Sequence, residues 1–465
     1  MFGIKKDIAI HFIGIGGIGM SGIAEILISM EYEVSGSDIS RNNNVIKLEG
    51  LGAKIYIGHN EKNIENAQLV VYSSAIDDKN PEIKYAKENS IPIIKRAEML
   101  SELMRLKYGI AIAGSHGKTT TSSLVSTIFK KMNLEPTCII GGIVKNLGGH
   151  AVNGKGEHLI AEADESDGSF LSLNPIMSII TNIDNDHLDF YKTEENIQKA
   201  FIEFANKIPF YGCVAINIDD PNSVNIIEKL RRRHVGFGII TDKENADLSI
   251  YDYAASELEF DEKGSRFTLH YKGLVKKIFI KLSGKHNVYN ALSAIAISHE
   301  VGLDLDEVCK AIEEFDGVSR RFEMLYNNAD FTVIDDYGHH PTEVRATINT
   351  AKVKYRNRKL ITIFEPHRYT RTKDFWNEFV ECFRNVDEVY IAPIYAASEE
   401  PINGIDAETL IESINTKFNN AKFLANWSEL KNLFELEKDN KTVILSLGAG
   451  SISKQTREQI EQWKV

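Results

Sequence analysis

Only four cysteines stand in 465 residues, at positions 138, 213, 309 and 382, each far from the next. Such isolated thiols exclude a disulfide framework and the paired ligands of structural zinc, and they predict a reducing, cytoplasmic setting. Proline is scarce as well, with 10 residues beside a 43% apolar share, so disorder and low complexity are excluded as the dominant character of the chain. A cationic surplus is missing. Lys and Arg total 54 against 66 Asp and Glu, a formal charge of −12. That argues against a nucleic-acid surface, because phosphate backbones call for clustered Lys and Arg. No long uninterrupted apolar run occurs either. The nearest imitation, residues 8–30 behind Lys5 and Lys6, is broken by five glycines, His11 and Glu25. Neither a membrane anchor nor a signal peptide is expected there.

What is present starts with Gly114-Ser115-His116-Gly117-Lys118-Thr119-Thr120, which follows an apolar run at 108–113 and precedes a helical pattern from Thr121. A strand, a glycine turn and a helix start place backbone N–H groups, a lysine and a magnesium-binding hydroxyl around polyphosphate. The full phosphate-loop pattern would place glycine where Ile112 stands, so the match is partial. An ordinary strand-to-helix turn is the alternative; Lys118 and Thr119 at the phosphate and metal positions favour ATP and Mg2+.

The length predicts roughly three domains. Strand 8–13, a glycine turn, helix 20–30 and strand 33–36 make a βαβ opening. Its Gly14-x-Gly16-x-x-Gly19, with Asp38 near the acidic position, fits the dinucleotide fingerprint and, taken alone, would indicate NAD. Strands 69–72 and 92–94 complete this unit near Lys107. Apolar runs at 158–161, 177–182, 213–218 and 235–238 alternate with helical patterns, which predicts a mostly parallel sheet covered on both faces, with ligands at the carboxyl ends of its strands. Segments 266–271 and 275–282 read as an added hairpin, followed by helix 287–302. After a linker at 315–321, strands 331–334, 360–364, 389–392 and 442–447 alternate with helices. The fold class is α/β, with domains 1–107, 108–314 and 315–465.

Two acidic runs follow predicted strands of the middle unit: Glu162-Ala163-Asp164-Glu165-Ser166-Asp167 and Asp184-Asn185-Asp186-His187. Each alone reads as a solvated loop. Both at strand ends beside a phosphate loop favour metal binding, since magnesium takes hard oxygen ligands and keeps several waters. In the last unit, Asp335-Asp336-Tyr337-Gly338-His339-His340-Pro341 and Glu365-Pro366-His367-Arg368-Tyr369-Thr370-Arg371 each follow a strand. The guanidinium forks of Arg368 and Arg371 suit a free amino acid or an oxyanion.

With these pieces in order, the chain resembles the Mur ligases of peptidoglycan synthesis over residues 8–452. The carrying blocks are the glycine turn at 11–22, the loop at 114–120, 162–171, 181–189, His286-Asn287 with Asn290, Arg320-Arg321-Phe322-Glu323, 335–343, 367–372 and Gly448-Ala449-Gly450. The resemblance implies a Rossmann-like N-terminal domain, a P-loop ATPase-like central domain and a Rossmann-like C-terminal domain. It implies a UDP-sugar site rather than an NAD site at Gly14, Gly16, Gly17, Gly19, Ser37, Asp38, Ser73 and Ser74. ATP would be held by Gly114, Ser115, His116, Gly117, Lys118, Thr119 and Thr120, with His286, Asn287 and Asn290 near adenine and Arg321 and Asp336 at phosphate and ribose. Thr119 and Glu162 would bind one magnesium and His187 a second. Tyr337, His339, His367, Arg368 and Arg371 would form the amino-acid end.

The block at 366–372 points to the branch that loads L-alanine. The implied reaction is ATP-dependent phosphorylation of the lactyl carboxylate of UDP-N-acetylmuramate, then attack by the amine of L-alanine, in the cytoplasm. Positioning and charge neutralisation are its demands. Lys118, His339, Arg368 and Arg371 are the expected catalytic set, with His339 accepting the proton. Small molecules are the expected partners, without nucleic acid or membrane, for a monomer or weak homodimer. A relative adding a peptide or another amino acid, an NAD-dependent oxidoreductase and a non-catalytic nucleotide-binding protein are the other readings. The carbamylated lysine of several Mur ligases has no match: its position falls at Phe201 or Ile202, with Lys199 out of register.

Overall fold

Short runs rich in Ile, Val and Ala, punctuated by glycine, become the buried strands of three sheets. The computed structural model describes residues 8–73, 75–144, 149–241 and 248–464. The first sheet is all parallel, in the order Lys54–Ile57, Glu33–Asp38, Ala9–Ile13, Leu69–Tyr72, Ile93–Lys95. Its strand order reverses beside Ala9–Ile13, the position at which open α/β sheets generally bind ligands, outside the carboxyl ends of the strands.

The second sheet has ten strands, with Tyr108–Ala113 flanked by Met177–Ile180 and His158–Glu162. Cys213–Asn217 and His234–Ile239 extend it on one side in parallel, and Tyr253–Phe260, Ser265–Tyr271 and Leu274–Ile280 follow. On the other side Thr137–Val144 pairs antiparallel with Gly149–Val152. The strands at 54–57, 137–144, 149–152 and 253–260 escaped the sequence reading because each mixes polar residues or glycine into its run.

The third sheet runs Glu323–Asn327, Phe331–Asp336, Thr442–Leu447, Lys359–Phe364, Glu388–Ile391, Ala421–Phe423, antiparallel only in its first pair. Its alternation sorts the core by face. Phe331, Val333, Ile361, Ile363 and Ile444 join one cluster, while Ile334, Leu360, Phe364, Val443 and Leu445 join the other.

The chain packs as two compact units. One comprises residues 1–256, 268–278 and 289–315, the other 257–267, 279–288 and 316–465. The first two sheets share a unit because one apolar core runs through both, from Ile10 to Ile226. Helix Ile18–Ser29 buries Met20, Ile23, Ala24, Ile26 and Leu27 and packs on the strands at 137–144 and 149–152 as well as on its own sheet.

Candidate functional site

The phosphate loop leaves strand Tyr108–Ala113 and enters helix Lys118–Lys131, which starts three residues before the expected Thr121. Gly117 caps that helix in the left-handed region at φ 84°, and a Cβ there would lie 2.4 Å from Asn290 Oδ1, so only glycine fits. Asn182 carries the loop: its backbone oxygen accepts from Ser115 N at 3.1 Å and its Oδ1 from His116 N at 2.9 Å. Ser115 Oγ accepts from Asp184 N at 2.8 Å, and His116 Nε2 lies 2.9 Å from Asp184 Oδ2. Asn290 Oδ1 accepts from Thr121 Oγ1 at 3.3 Å, which places the helix at 285–300 against the loop. Thr120 is buried behind it.

Lys118 folds back over this loop, donating to Gly114 O at 2.6 Å, Ser115 O at 3.2 Å and Glu165 Oε1 at 2.8 Å. Burial works against its charge, but Glu165 and the neighbouring carboxylates hold the ammonium above its ordinary range. Burial pushes Glu165 up to about 7, and Lys118 opposes that rise. His187, at φ 59°, points its Nε2 to within 3.5 Å of Asp186 Oδ2 and 3.8 Å of Glu165 Oε1. Thr119 Oγ1 donates to Glu162 Oε2 at 3.2 Å, while Glu162 Oε1 accepts from Gly141 N and Ser122 Oγ. The expected first metal pair is thus side by side. Hard oxygens on a helix start and a strand end suit magnesium.

In the first sheet, Gly14 N and Ile15 N donate to Ser37 O, and Gly16 N donates to Asp38 Oδ2 at 2.9 Å. Asp38 therefore ties down its own glycine turn, a use the dinucleotide fingerprint does not assign it. Gly17 caps helix Ile18–Ser29 without a side-chain bond, and both Gly17 and Ile18 are exposed, so this helix start faces solvent with its N–H groups open. Ser37 Oγ donates to buried Glu82 at 2.6 Å. Ser73 follows strand Leu69–Tyr72, and Ser74 lies outside the described residues.

In the C-terminal unit, Arg320 and Arg321 set their guanidinium carbons 4.7 and 5.0 Å from the ring centre of Tyr337. Asp336 accepts from Phe322 N and Gly338 N, both at 2.8 Å, and burial pushes it up to about 6 against the pull of Arg321. Its carboxylate therefore organises its own loop, beyond the ribose contact expected of it. His339 stands 5.8 Å from His367 and 5.2 Å from Tyr337, edge-to-face with both. Its Nδ1 lies 3.2 Å from Tyr337 O; a carbonyl only accepts, so Nδ1 carries the proton and Nε2 is the basic nitrogen. His367 stacks on Tyr395, and burial with Arg371 and Arg368 pushes it down to about 4. Arg371 Nη1 lies 3.4 Å from His367 Nδ1. Arg368 has φ 72°, Arg320 61° and Phe322 49°, each in the left-handed region that side chains rarely adopt.

Also in this unit, His286 lines a cleft of about 280 Å³ with Phe260, Ser283, Asn349, Thr350 and Lys354. Burial and Arg321 push His286 down to about 4, leaving a neutral ring. Asn287 donates to Ser283 O at 2.9 Å, tying the approach to the helix.

Sequence reasoning missed Glu165 as the partner of Lys118 and Asn182 as the carrier of the loop. Glu165 stood inside a quoted acidic run, yet nothing in that run separates the carboxylate that faces the lysine from its neighbours. Phe201 is fully buried, and Lys199 is exposed and paired with Glu195 at 3.0 Å.

Residues 9–108 match the Mur ligase family catalytic domain, 112–298 the Mur ligase middle domain, and 320–450 the Mur ligase glutamate ligase domain. The chain is 46% identical over 444 residues to the UDP-N-acetylmuramate--L-alanine ligase of Sulfurihydrogenibium sp., covering 96% of this chain and 95% of that one. It is 45% identical over 460 residues to the enzyme of the same name from Aquifex aeolicus, covering 99% and 98%. The crystal structure of a UDP-N-acetylmuramate-alanine ligase from Thermotoga maritima superposes with a TM-score of 0.82 at 30% identity, covering 98% of this chain and 99% of that one. With these three family models matching successive parts of its length and relatives at 45–46% identity over nearly all of it, the chain belongs to the Mur ligase family.

Proposed function

We propose that this chain joins L-alanine to the lactyl carboxylate of UDP-N-acetylmuramate, converting ATP to ADP and phosphate. The observation that carries this reading is the match over nearly the whole length, at 42–46% identity, to relatives named for that reaction. The domains are residues 1–107 for the nucleotide sugar, 108–314 for ATP and 315–465 for the amino acid.

A carboxylate oxygen of the sugar acid attacks the γ-phosphorus and ADP leaves; the amine then attacks the acyl carbon and phosphate leaves. Lys118 swings from Glu165 to the phosphates, and the loop at 114–120 cradles them with backbone N–H groups. Magnesium, held by Thr119 and Glu162, supplies further neutralisation of phosphate charge, and His187 is the ligand assigned to a second ion. His286 is assigned to the adenine. Asn287 and Asn290 stand at that end of the nucleotide, and Arg321 and Asp336 serve its phosphate and ribose. Gly14, Gly16, Gly17, Gly19, Ser37, Asp38, Ser73 and Ser74 bind the nucleotide sugar. Arg368 and Arg371 hold the alanine carboxylate beside Tyr337 and His367, and His339 takes the ammonium proton through Nε2.

Phosphate release measured with Mg2+, ATP, UDP-N-acetylmuramate and L-alanine, each omitted in turn, tests the proposal. Sustained release only with all four present supports it. Release with a tripeptide or another amino acid in place of L-alanine would reassign the acceptor, and silence with every acceptor would end the reading.

A further inference from the structure

Arg96 opens helix Arg96–Met104 directly after strand Ile93–Lys95. It lies across the glycine turn: a Cβ on Gly19 would sit 3.0 Å from Arg96 Nη1 and 3.2 Å from Cδ. The guanidinium thus covers the second residue of helix Ile18–Ser29, next to its open, uncapped start. Its other end reaches the middle sheet, where Nη2 lies 3.3 Å from Asp164 Oδ2. Asp164 stands two residues after Glu162 and just before Glu165, the partner of Lys118.

This ion pair is built to be exchanged. It is a single long bond between side chains 22% and 44% exposed, whereas Arg offers a planar fork that suits two-point contact with a carboxylate. The charge around the turn also calls for a cation. Asp38 is fixed there by Gly16 N and repels an incoming acid. An acid bound at the turn must further approach the terminal phosphate of ATP, anion against anion, with Lys118 on the nucleotide side only. We propose that Arg96 is a substrate contact: its guanidinium leaves Asp164 for the carboxylate of the sugar acid seated at the glycine turn, and turns that carboxylate toward the phosphate loop. The inference rests on reading that turn as the nucleotide-sugar site.

Calorimetric binding of two probes to the full chain without ATP tests it: UDP-N-acetylmuramate, and UDP-N-acetylglucosamine, which lacks the lactyl carboxylate. Arg96→Met is expected to weaken the first by about tenfold or more and to change the second by less than about twofold. Asp164→Asn, which frees the guanidinium, is expected to tighten only the first. Equal weakening of both probes by Arg96→Met, or no change in either, overturns the proposal. If Arg96→Met fails to fold, seen as loss of ATP binding, Asp164→Asn decides: unchanged or equally shifted affinities overturn it. Failure of the wild-type protein to bind either probe would instead remove the reading of the turn itself, and the role of Arg96 with it.

Discussion

Lys118 Nζ and the carboxylate of Glu165 meet at 2.8 Å beside the loop at 114–120, where Lys118 is proposed to contact ATP. The ammonium is parked on an internal anion, and nucleotide phosphate must compete for it. Removing the lysine removes transition-state charge stabilisation and also leaves the buried Glu165 carboxylate without its ion-pair partner. Lys118→Ala is expected to lower kcat by about a thousandfold or more. UDP-N-acetylmuramate binding, followed by calorimetry, is expected to stay near wild type. Equal loss of both would count against separate sites for the two substrates.

Glu165 makes stability depend on pH. Burial raises its carboxyl from the ordinary 4.5 to about 7, so the folded chain binds more protons than the unfolded chain between these values. Its contribution is fully present below about 4.5 and is lost as pH rises through about 7. Glu165→Gln should flatten that decline by on the order of 2 kcal/mol. Thermal unfolding of both proteins at pH 5 and pH 8 measures it, and parallel curves would refute the assignment.

Glu162 and Thr119 share a hydrogen bond at the position proposed for magnesium. Glu162→Gln keeps the shape and removes a charge. Half-saturating Mg2+ in the phosphate-release assay should rise about tenfold or more, with a smaller rise for Thr119→Val. An unchanged magnesium curve in both variants would place the ion elsewhere.

His339 and His367 stand near each other but differ in what they can do with a proton. Burial and two arginines keep His367 at about 4, so it remains neutral through the physiological range. His339→Gln is expected to lower kcat by about a hundredfold and to abolish the acid limb of the rate profile in L-alanine. His367→Gln should leave that limb in place. Loss of the limb in the second variant instead would exchange their roles.

Much of this architecture is legible from residues alone, for reasons visible in the structure. Strands Tyr108–Ala113, Leu69–Tyr72 and Thr442–Leu447 coincide with the apolar runs that predicted them, because buried parallel strands carry little else. Helix Lys118–Lys131 began earlier than expected, since its first turn of Lys and Thr shows no apolar period while its hydroxyls are buried. The packing of the first two sheets into one unit was invisible, because helix Ile18–Ser29 is apolar on nearly every side and its sequence does not say against what. In the site, the glycine loops and arginine forks were readable as motifs. The Lys118–Glu165 and Gly16–Asp38 pairings were not, as they depend on which strand ends the fold brings face to face.

The shared core from Ile10 to Ile226 carries a consequence for how the molecule comes apart. A fragment cut after residue 107 would bare the flank of helix Ile18–Ser29 that rests on the neighbouring strands, and it would aggregate instead of surviving as a free-standing module. Heat should accordingly melt the glycine turn and the phosphate loop in one cooperative transition, so that no temperature exists at which the protein keeps its grip on one nucleotide after losing the other.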